Sequence, residues 1–372
     1  MAPGCSDTAI RDLTVAVYRV PTEAPESDGT LAWDHTTLVV VHVRAGDQRG
    51  LGYTYGAGAA AALIRELLAG LLQGRDALAI PECWVAMARA LRNVGLPGIA
   101  ATAVSAVDIA LWDLKARLLG VSLVDLLGAA RERIPIYGSG GFTSYSEREL
   151  QEQLGGWAAQ GIRRVKMKVG RQPDEDPRRV RAARQAIGPD TELFIDANGA
   201  YTRKEALRIA DSVAASDVRW FEEPVSSDDL LGLRLVRDRA PAGMAIAAGE
   251  YGYDPPYFQR LLDAGAVDVL QADATRCRGI SGFLHTGGLC EAAQTPLSAH
   301  CAPSVHAHPA CALPRCCHLE YFHDHARIEH LLFDGALTPR GGALTPDRSR
   351  PGLGLELKQA EAERFRVQGG GP

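Results

Sequence analysis

Apolar and polar residues alternate differently in the two parts of this chain. Residues 8–20 (TAIRDLTVAVYRV) and 35–44 (HTTLVVVHVR) are rich in β-branched residues with a two-residue period, which predicts antiparallel strands. A polar loop is expected between them at 22–34, and GLGYTYGAG supplies a third strand with its turn. Helical spacing follows in AALIRELLAGLLQG, in CWVAMARALRN and most strongly in TAVSAVDIALWDLKARLLG, which stops at Gly120. Strands followed by helices predict a separate α+β domain over 1–130.

From Ile134 the pattern changes to strict strand–helix alternation. The expected strands are IPIYGS, RVKMKV, LFIDAN, RWFEE, MAIAAGE, VDVLQAD, PLSAH and CHLEY, separated by helix-period segments. Eight such units predict a (β/α)8 barrel over 131–334. The tail 335–372, rich in Gly and Pro with LGLELK as one extended piece, is expected to return to the first domain, with the final GGGP disordered.

The strand ends carry the candidate chemistry. Asp196, Glu222 and Glu250 close three successive strands, and parallel strands deliver their ends to one rim. Three converging carboxylates repel one another unless a cation lies between them, and all-oxygen ligation argues for Mg2+, or Mn2+, over zinc. Glu222 and Glu223 are adjacent, so only one faces inward; Glu222 is assigned that place, and Glu223 an ion pair or an outer position. The glycine before Glu250 is expected to leave room for a ligand. Asn198, two residues after Asp196, is a candidate for bonding a substrate hydroxyl, although D-A-N-G is also good turn chemistry.

Lys166 and Lys168, two apart on one strand, point to the same side, where mutual repulsion beside a metal is expected to depress their pKa values and free one amine to take a proton. Asp273 and His300 end consecutive strands and are expected to pair, Asp273 fixing the tautomer of His300 for acid–base work. Glu320, on the eighth strand, is expected to bond a substrate carboxylate. His306, His308, His323 and His325 are expected in loops without a role. A base on each face of a planar enediolate allows racemisation of a 2-hydroxy acid, or dehydration of a polyhydroxy acid.

Composition narrows the reading by exclusion. The net charge of −5 is spread along the chain, which gives no footprint for nucleic acid, and no apolar run is long enough to span a membrane. The start has no export signal, so a cytoplasmic protein with reduced thiols is expected. The eight cysteines are Cys5, Cys83, Cys277, Cys290, Cys301, Cys311, Cys316 and Cys317. Six of them fall in 277–317 amid histidines without any CxxC pair, so buried thiols are favoured. A non-catalytic metal-binding protein built on the Cys/His-rich segment 277–325 is the distant alternative.

VKMKVG, D-A-N, W-F-E-E-P, A-G-E, Q-A-D and S-A-H, in this order and spacing, resemble the motifs of the enolase superfamily, mandelate racemase subgroup. The resemblance covers nearly the whole chain, including AVDIALWDLKARLLG of a capping domain. It implies Lys168 as base with Lys166 near the substrate carboxylate, Asp196, Glu222 and Glu250 as Mg2+ ligands, Asp273 and His300 as a catalytic dyad, and Glu320 as the subgroup's eighth-strand glutamate. Relatives with both the K-x-K motif and the dyad are mostly acid-sugar dehydratases. The expected activity is therefore α-proton abstraction from a carboxylate and dehydration of an aldonate or aldarate to a 2-keto-3-deoxy acid, with racemisation as the alternative. Such relatives often assemble as dimers or octamers, so a homo-oligomer is expected. Substrate choice is expected to lie in the segments 22–34 with Trp33, 52–58, 138–145 and 250–257, with the glycines at 138–141 serving loop flexibility.

Overall fold

A computed structural model describes residues 8–367; Cys5 and the final GGGP lie outside the described residues. The first domain opens with an antiparallel meander of β1 (Ile10–Ser27), β2 (Ala32–Ala45) and β3 (Gln48–Tyr55), in the order β1-β2-β3. The expected polar loop at 22–34 is mostly strand: β1 runs on to Ser27, and only a tight turn separates it from β2. Pro21 and Pro25 are tolerated because β1 is an edge strand, and the register slips between Pro21 and Glu26.

The sheet is buried on both faces, which explains the unbroken run of valines in β2. Val39, Val41 and Val43 pack into the core of the first domain, whereas Leu38 and Val40 join the core shared with the barrel. The long helix Ile99–Leu118 lies against β3 so closely that a Cβ at Gly52 would stand 2.2 Å from the carbonyl of Ala106. Small residues such as Ala106 and Ala110 on that helix, and glycines on the strand, allow this approach.

Eight parallel strands follow: β4 (Ile134–Gly140), β5 (Arg164–Lys168), β6 (Glu192–Asp196), β7 (Val218–Glu222), β8 (Ala245–Ala248), β9 (Val269–Ala272), β10 (Leu297–Ala299) and β11 (Cys316–Phe322). They pair in sequence, and β11 closes on β4, so the barrel is complete and an antiparallel sheet caps it at the N-terminal side of the chain. Helices start where the sequence offers caps. Ser146 and Thr202 each accept the amide three residues on, and Glu149 and Glu205 reach back.

Strand alternation sorts the barrel residues. Val165, Met167, Leu193, Ile195 and Phe221 pack outward into the main core. Tyr137, Phe194, Trp220 and Ala247 form a separate inner cluster, with His318 set edge-on or tilted among the rings. This layer plugs the barrel below its rim.

The structure corrects two further local expectations. Gly138 and Gly140 belong to β4, not to a flexible loop: a Cβ at Gly138 would meet the Trp157 ring at 2.7 Å. His306 and His308 are fully buried on the helix Pro303–Ala312, and His323 and His325 stand on the helix His323–Leu332. None of the four is in a loop. The tail pairs Glu356–Leu357 with Phe333–Asp334, and the amide of Arg19 donates to the carbonyl of Phe365. Leu353 donates its amide to Asp113 of the long helix at 2.6 Å. Among the described residues, no helix is long and apolar enough to cross a membrane.

Candidate active site

Register alone assembles one wall of the site. Lys168 pairs with Asp196 across β5 and β6, and Asp196 with Glu222 across β6 and β7. All three therefore stand side by side on the inner face, with Lys166 one layer below. Lys166 Nζ donates to both oxygens of Glu222 at 2.7 Å and lies 2.8 Å from Glu320 Oε1 and 3.2 Å from Asp196 Oδ2. Lys168 Nζ donates to Asp196 Oδ2 at 2.5 Å. Trp220, two residues before Glu222 on the same face, donates its indole N–H to Glu222 Oε2 at 2.9 Å.

The opposing wall needs special backbone. Strand parity would turn Glu250 away from the barrel axis, but Gly249 (φ 137°) redirects the chain. The room at Gly249 serves the carbonyl of Gln271, 2.1 Å from where a Cβ would lie, and not the ligand expected beside Glu250. Asp273 and His300 meet as their consecutive strands predict, Nδ1 lying 2.8 Å from Oδ2. Thr275 donates its amide and its hydroxyl to the other oxygen of Asp273, each at 2.7 Å. His300 Nε2 thereby faces the centre, 3.0 Å from Glu250 Oε2 and 3.5 Å from Glu320 Oε2.

The charges of this cluster set its titration. Burial would lower Lys166, but Glu222, Glu320 and Asp196 outweigh it and hold the pKa well above its usual value. Lys168 is likewise raised, because Asp196 outweighs burial and the repulsion of Lys166. The depression expected of the lysine pair beside a metal is opposed in this cluster by carboxylates, which outnumber the ammoniums they face. Burial also opposes ionisation of Asp273, but the bond to His300 and the charges of His300, His306 and Arg276 bring it below the usual carboxylate range. His300 is raised far above 6.5 against its burial by the charges of Cys301, Glu250 and Glu320 and the bond to Asp273. Burial and neighbouring carboxylates push Glu222 and Glu223 up.

These residues fit a divalent cation. Asp196, Glu222 and Glu250 each offer an oxygen within 4.8 Å of the others, an all-oxygen set suited to Mg2+. Six buried carboxylates (Asp196, Glu222, Glu223, Glu250, Asp273 and Glu320) face Lys166, Lys168, Arg276, His300 and, 3.7 Å from Asp273, His306, whose pKa burial lowers. With all six ionised and His300 protonated, two negative charges would be left over, and Glu222 and Glu223 are the two whose ionisation the cluster opposes. Buried Glu223 Oε1 also lacks a hydrogen-bond partner among the described residues. Glu223 takes φ 37°, and no ion pair of the kind expected for it occurs among the described residues.

A cavity of about 560 Å3 opens above the cluster. Lys168, Asn198, Glu250, His300 and Glu320 line it, and so do Trp33, Tyr55 and Tyr251 from the segments singled out for substrate choice. Asn198 (φ 47°) donates its amide to Asp196 at 2.9 Å and keeps a buried, unpartnered Oδ1. Segment 138–145 does not line the cavity; Phe142 stacks edge-on behind Trp33 instead. Among the lining residues that escaped the sequence reading are Arg276, Cys301 and His325. Arg276 stands three residues after Asp273, a spacing that marks the strand-end loop, whereas nothing local in the sequence marks the other two. The cysteines do not gather into one metal cluster: the seven described are free, and Cys317 alone among them is not fully buried.

Residues 11–128 match the N-terminal domain of mandelate racemase and muconate lactonizing enzyme, and residues 149–362 the enolase C-terminal domain-like fold. The chain belongs to the mandelate racemase family of the enolase superfamily. It is an enzyme of that superfamily, as its curated relatives are. A mandelate racemase/muconate lactonizing enzyme-like protein from Rubrobacter xylanophilus is 58% identical, with a TM-score of 0.95 over 96% of this chain and 100% of the other. The 3,6-anhydro-alpha-L-galactonate cycloisomerase of Streptomyces coelicolor is 33% identical over 92% of this chain and 96% of its own length. L-talarate/galactarate dehydratase of Salmonella typhimurium, solved with Mg and L-lyxarohydroxamate, is 30% identical, with a TM-score of 0.89 over 99% of this chain and 95% of the other.

Proposed function

We propose that the enzyme removes the α-proton of an acid sugar and expels water to give a 2-keto-3-deoxy acid, with Asp196, Glu222 and Glu250 holding Mg2+. The observation that carries this is the placing of two proton-transfer groups on different carboxylates of one cluster. Lys168 Nζ sits on Asp196 and His300 Nε2 on Glu250, from strands three apart around the ring. Held by Asp196, Glu222 and Glu250, Mg2+ would supply the positive charge that an α-carbanion beside a carboxylate needs and would weaken the hold of Asp196 on the Lys168 proton.

The chain's own groups then divide the work. Lys166 and Glu320, already paired, orient the substrate carboxylate. Lys168 takes the α-proton at Nζ. His300 delivers the proton on Nε2 to the departing hydroxyl, which leaves as water, and Asp273 steadies the imidazolium through Nδ1. Asn198 Oδ1 accepts a bond from a substrate hydroxyl.

The cavity favours a monoacid. Among its described lining residues the only lysine or arginine side chains are Lys168 and Arg276, and Arg276 lies 3.5 Å from Glu250 and 3.6 Å from Asp273. The outer wall offers Asp28, Leu31, Trp33, Thr36 and Tyr55, with His35 bonded to Asp34 and His325 stacked on Tyr55 and held neutral by burial at a pKa of about 3. A second carboxylate would meet no free cation there, so an aldonate fits better than an aldarate. Assaying the Mg2+-loaded enzyme against panels of mono- and diacid sugars tests this. Release of 2-keto acid from an aldonate is expected; turnover of diacids alone would overturn the monoacid assignment, and water loss from neither would overturn the dehydration.

An isomerase is the second reading, favoured by the cycloisomerase relative and by the presence of both bases. It uses the same residues, and product analysis separates it: an isomer of unchanged mass replaces the 2-keto acid.

A further inference from the structure

A second set of ligating atoms converges on the same rim, and its chemistry is different. His300 Nε2 and Cys301 Sγ are 3.3 Å apart, Cys301 Sγ and Glu320 Oε2 3.3 Å, and His300 Nε2 and Glu320 Oε2 3.5 Å. Bonds of ~2.0–2.3 Å at tetrahedral angles place N, S and O ligands of zinc about 3.3–3.6 Å from one another. The triangle is thus already one face of a zinc tetrahedron. All three residues are buried and line the cavity, which leaves a fourth position toward the substrate space.

The outer contacts are those of a built site. Asp273 occupies Nδ1 of His300 and Lys166 lies on Oε1 of Glu320, which turns Nε2, now 3.0 Å from Glu250 Oε2, and Oε2 toward Cys301 Sγ. Adjacent residues on a strand face opposite ways, yet Cys301 shares the side of His300. Its φ of 53°, followed by 40° at Ala302, makes the turn, and its amide bonds Glu320 Oε2 at 3.2 Å.

We propose that His300, Cys301 and Glu320 form a site for a thiophilic divalent cation, Zn2+ first among them, and that filling it stops turnover. Softness separates this N/S/O set from the all-oxygen set beside it: thiolate selects zinc, carboxylates select magnesium. Binding releases the thiol proton and occupies the nitrogen that carries the proton in the reaction. The inhibitory part rests on the function proposed above, whereas binding does not.

Co2+ titrated into the Mg2+-loaded, full-length enzyme reports thiolate ligation by its charge-transfer absorption. The absorption is expected in the wild type, is displaced by Zn2+, and is lost in Cys301→Ser and Cys301→Ala; either variant suffices if it retains the wild-type melting temperature. The zinc concentration that halves each enzyme's own zinc-free rate should rise at least about tenfold in the same variants. Absorption absent from the wild type, or persisting without Cys301, overturns the site. Equal zinc sensitivity in all three places the inhibition on the carboxylates and overturns the proposal. Absorption as expected with no inhibition keeps the site and removes His300 from proton transfer.

Discussion

The lysine wall and the histidine wall of the rim are built by different means. Lys166, Lys168, Asp196 and Glu222 reach their places through strands in register at their rim ends, the one slip, between Leu193 and Phe194, lying below the site, and ion pairs of 2.5–3.2 Å hold them. Glu250, His300 and Cys301 depend on Gly249 at φ 137° and on Cys301 and Ala302 at φ 53° and 40°. Each such non-glycine residue stores about 1–3 kcal/mol of strain, which the surrounding packing must over-determine. His300 is in turn aimed by a chain of hydrogen bonds through Asp273 and Thr275. A wall of charges on regular strands needs only register; a wall that aims one nitrogen needs a bent backbone and a supporting layer.

The largest effects should come from removing each wall's reacting group. Lys168→Ala and His300→Asn should each lower turnover by ~10²–10⁴ in steady-state assays. Full activity in either variant would make that wall structural. Glu222→Gln should weaken Mg2+ binding by calorimetry about tenfold or more, and unchanged affinity would transfer the ligand role to Glu223.

A smaller effect sharpens the contrast in support. Beside the histidine wall, Glu329 accepts bonds from the Tyr53 hydroxyl at 2.6 Å and the Ser304 amide at 2.9 Å, and burial raises its pKa to about 7. The folded state thus keeps a proton that the unfolded state, near ~4.3, has lost. Its stabilisation is full below that value and falls away as pH rises to 7. Unfolding free energies relative to Glu329→Gln should fall over that window by about 3 kcal/mol at most. A pH-independent difference in denaturant titrations would refute it. Smaller still, Asp273→Asn should cost about 10–100-fold in turnover. It should also lower the pKa assigned to His300 in the pH–rate profile, which a merely structural role would leave in place.

The same contrast explains what could be read from sequence. On the lysine wall, VKMK, LFID and WFE each end a short buried run, so a period of two names the inward residues. The eight strands were equally legible, since each is apolar and bounded by turn residues. Cys301 and His325 were not. One depends on a pair of positive-φ residues that no local pattern marks, and the other on HDHARIEHLL, whose polar character hides a helix that is buried by its neighbours. The prolines of VPTEAPES likewise argued for a loop, although an edge strand tolerates them.

The most direct test of the two-wall account is exchange of the substrate α-proton in deuterated water by the Mg2+-loaded variants. His300→Asn should wash deuterium into the α-position without forming product, because Lys168 still removes and returns the proton. Lys168→Ala should do neither. Exchange retained in Lys168→Ala, or lost equally in both, would contradict the account.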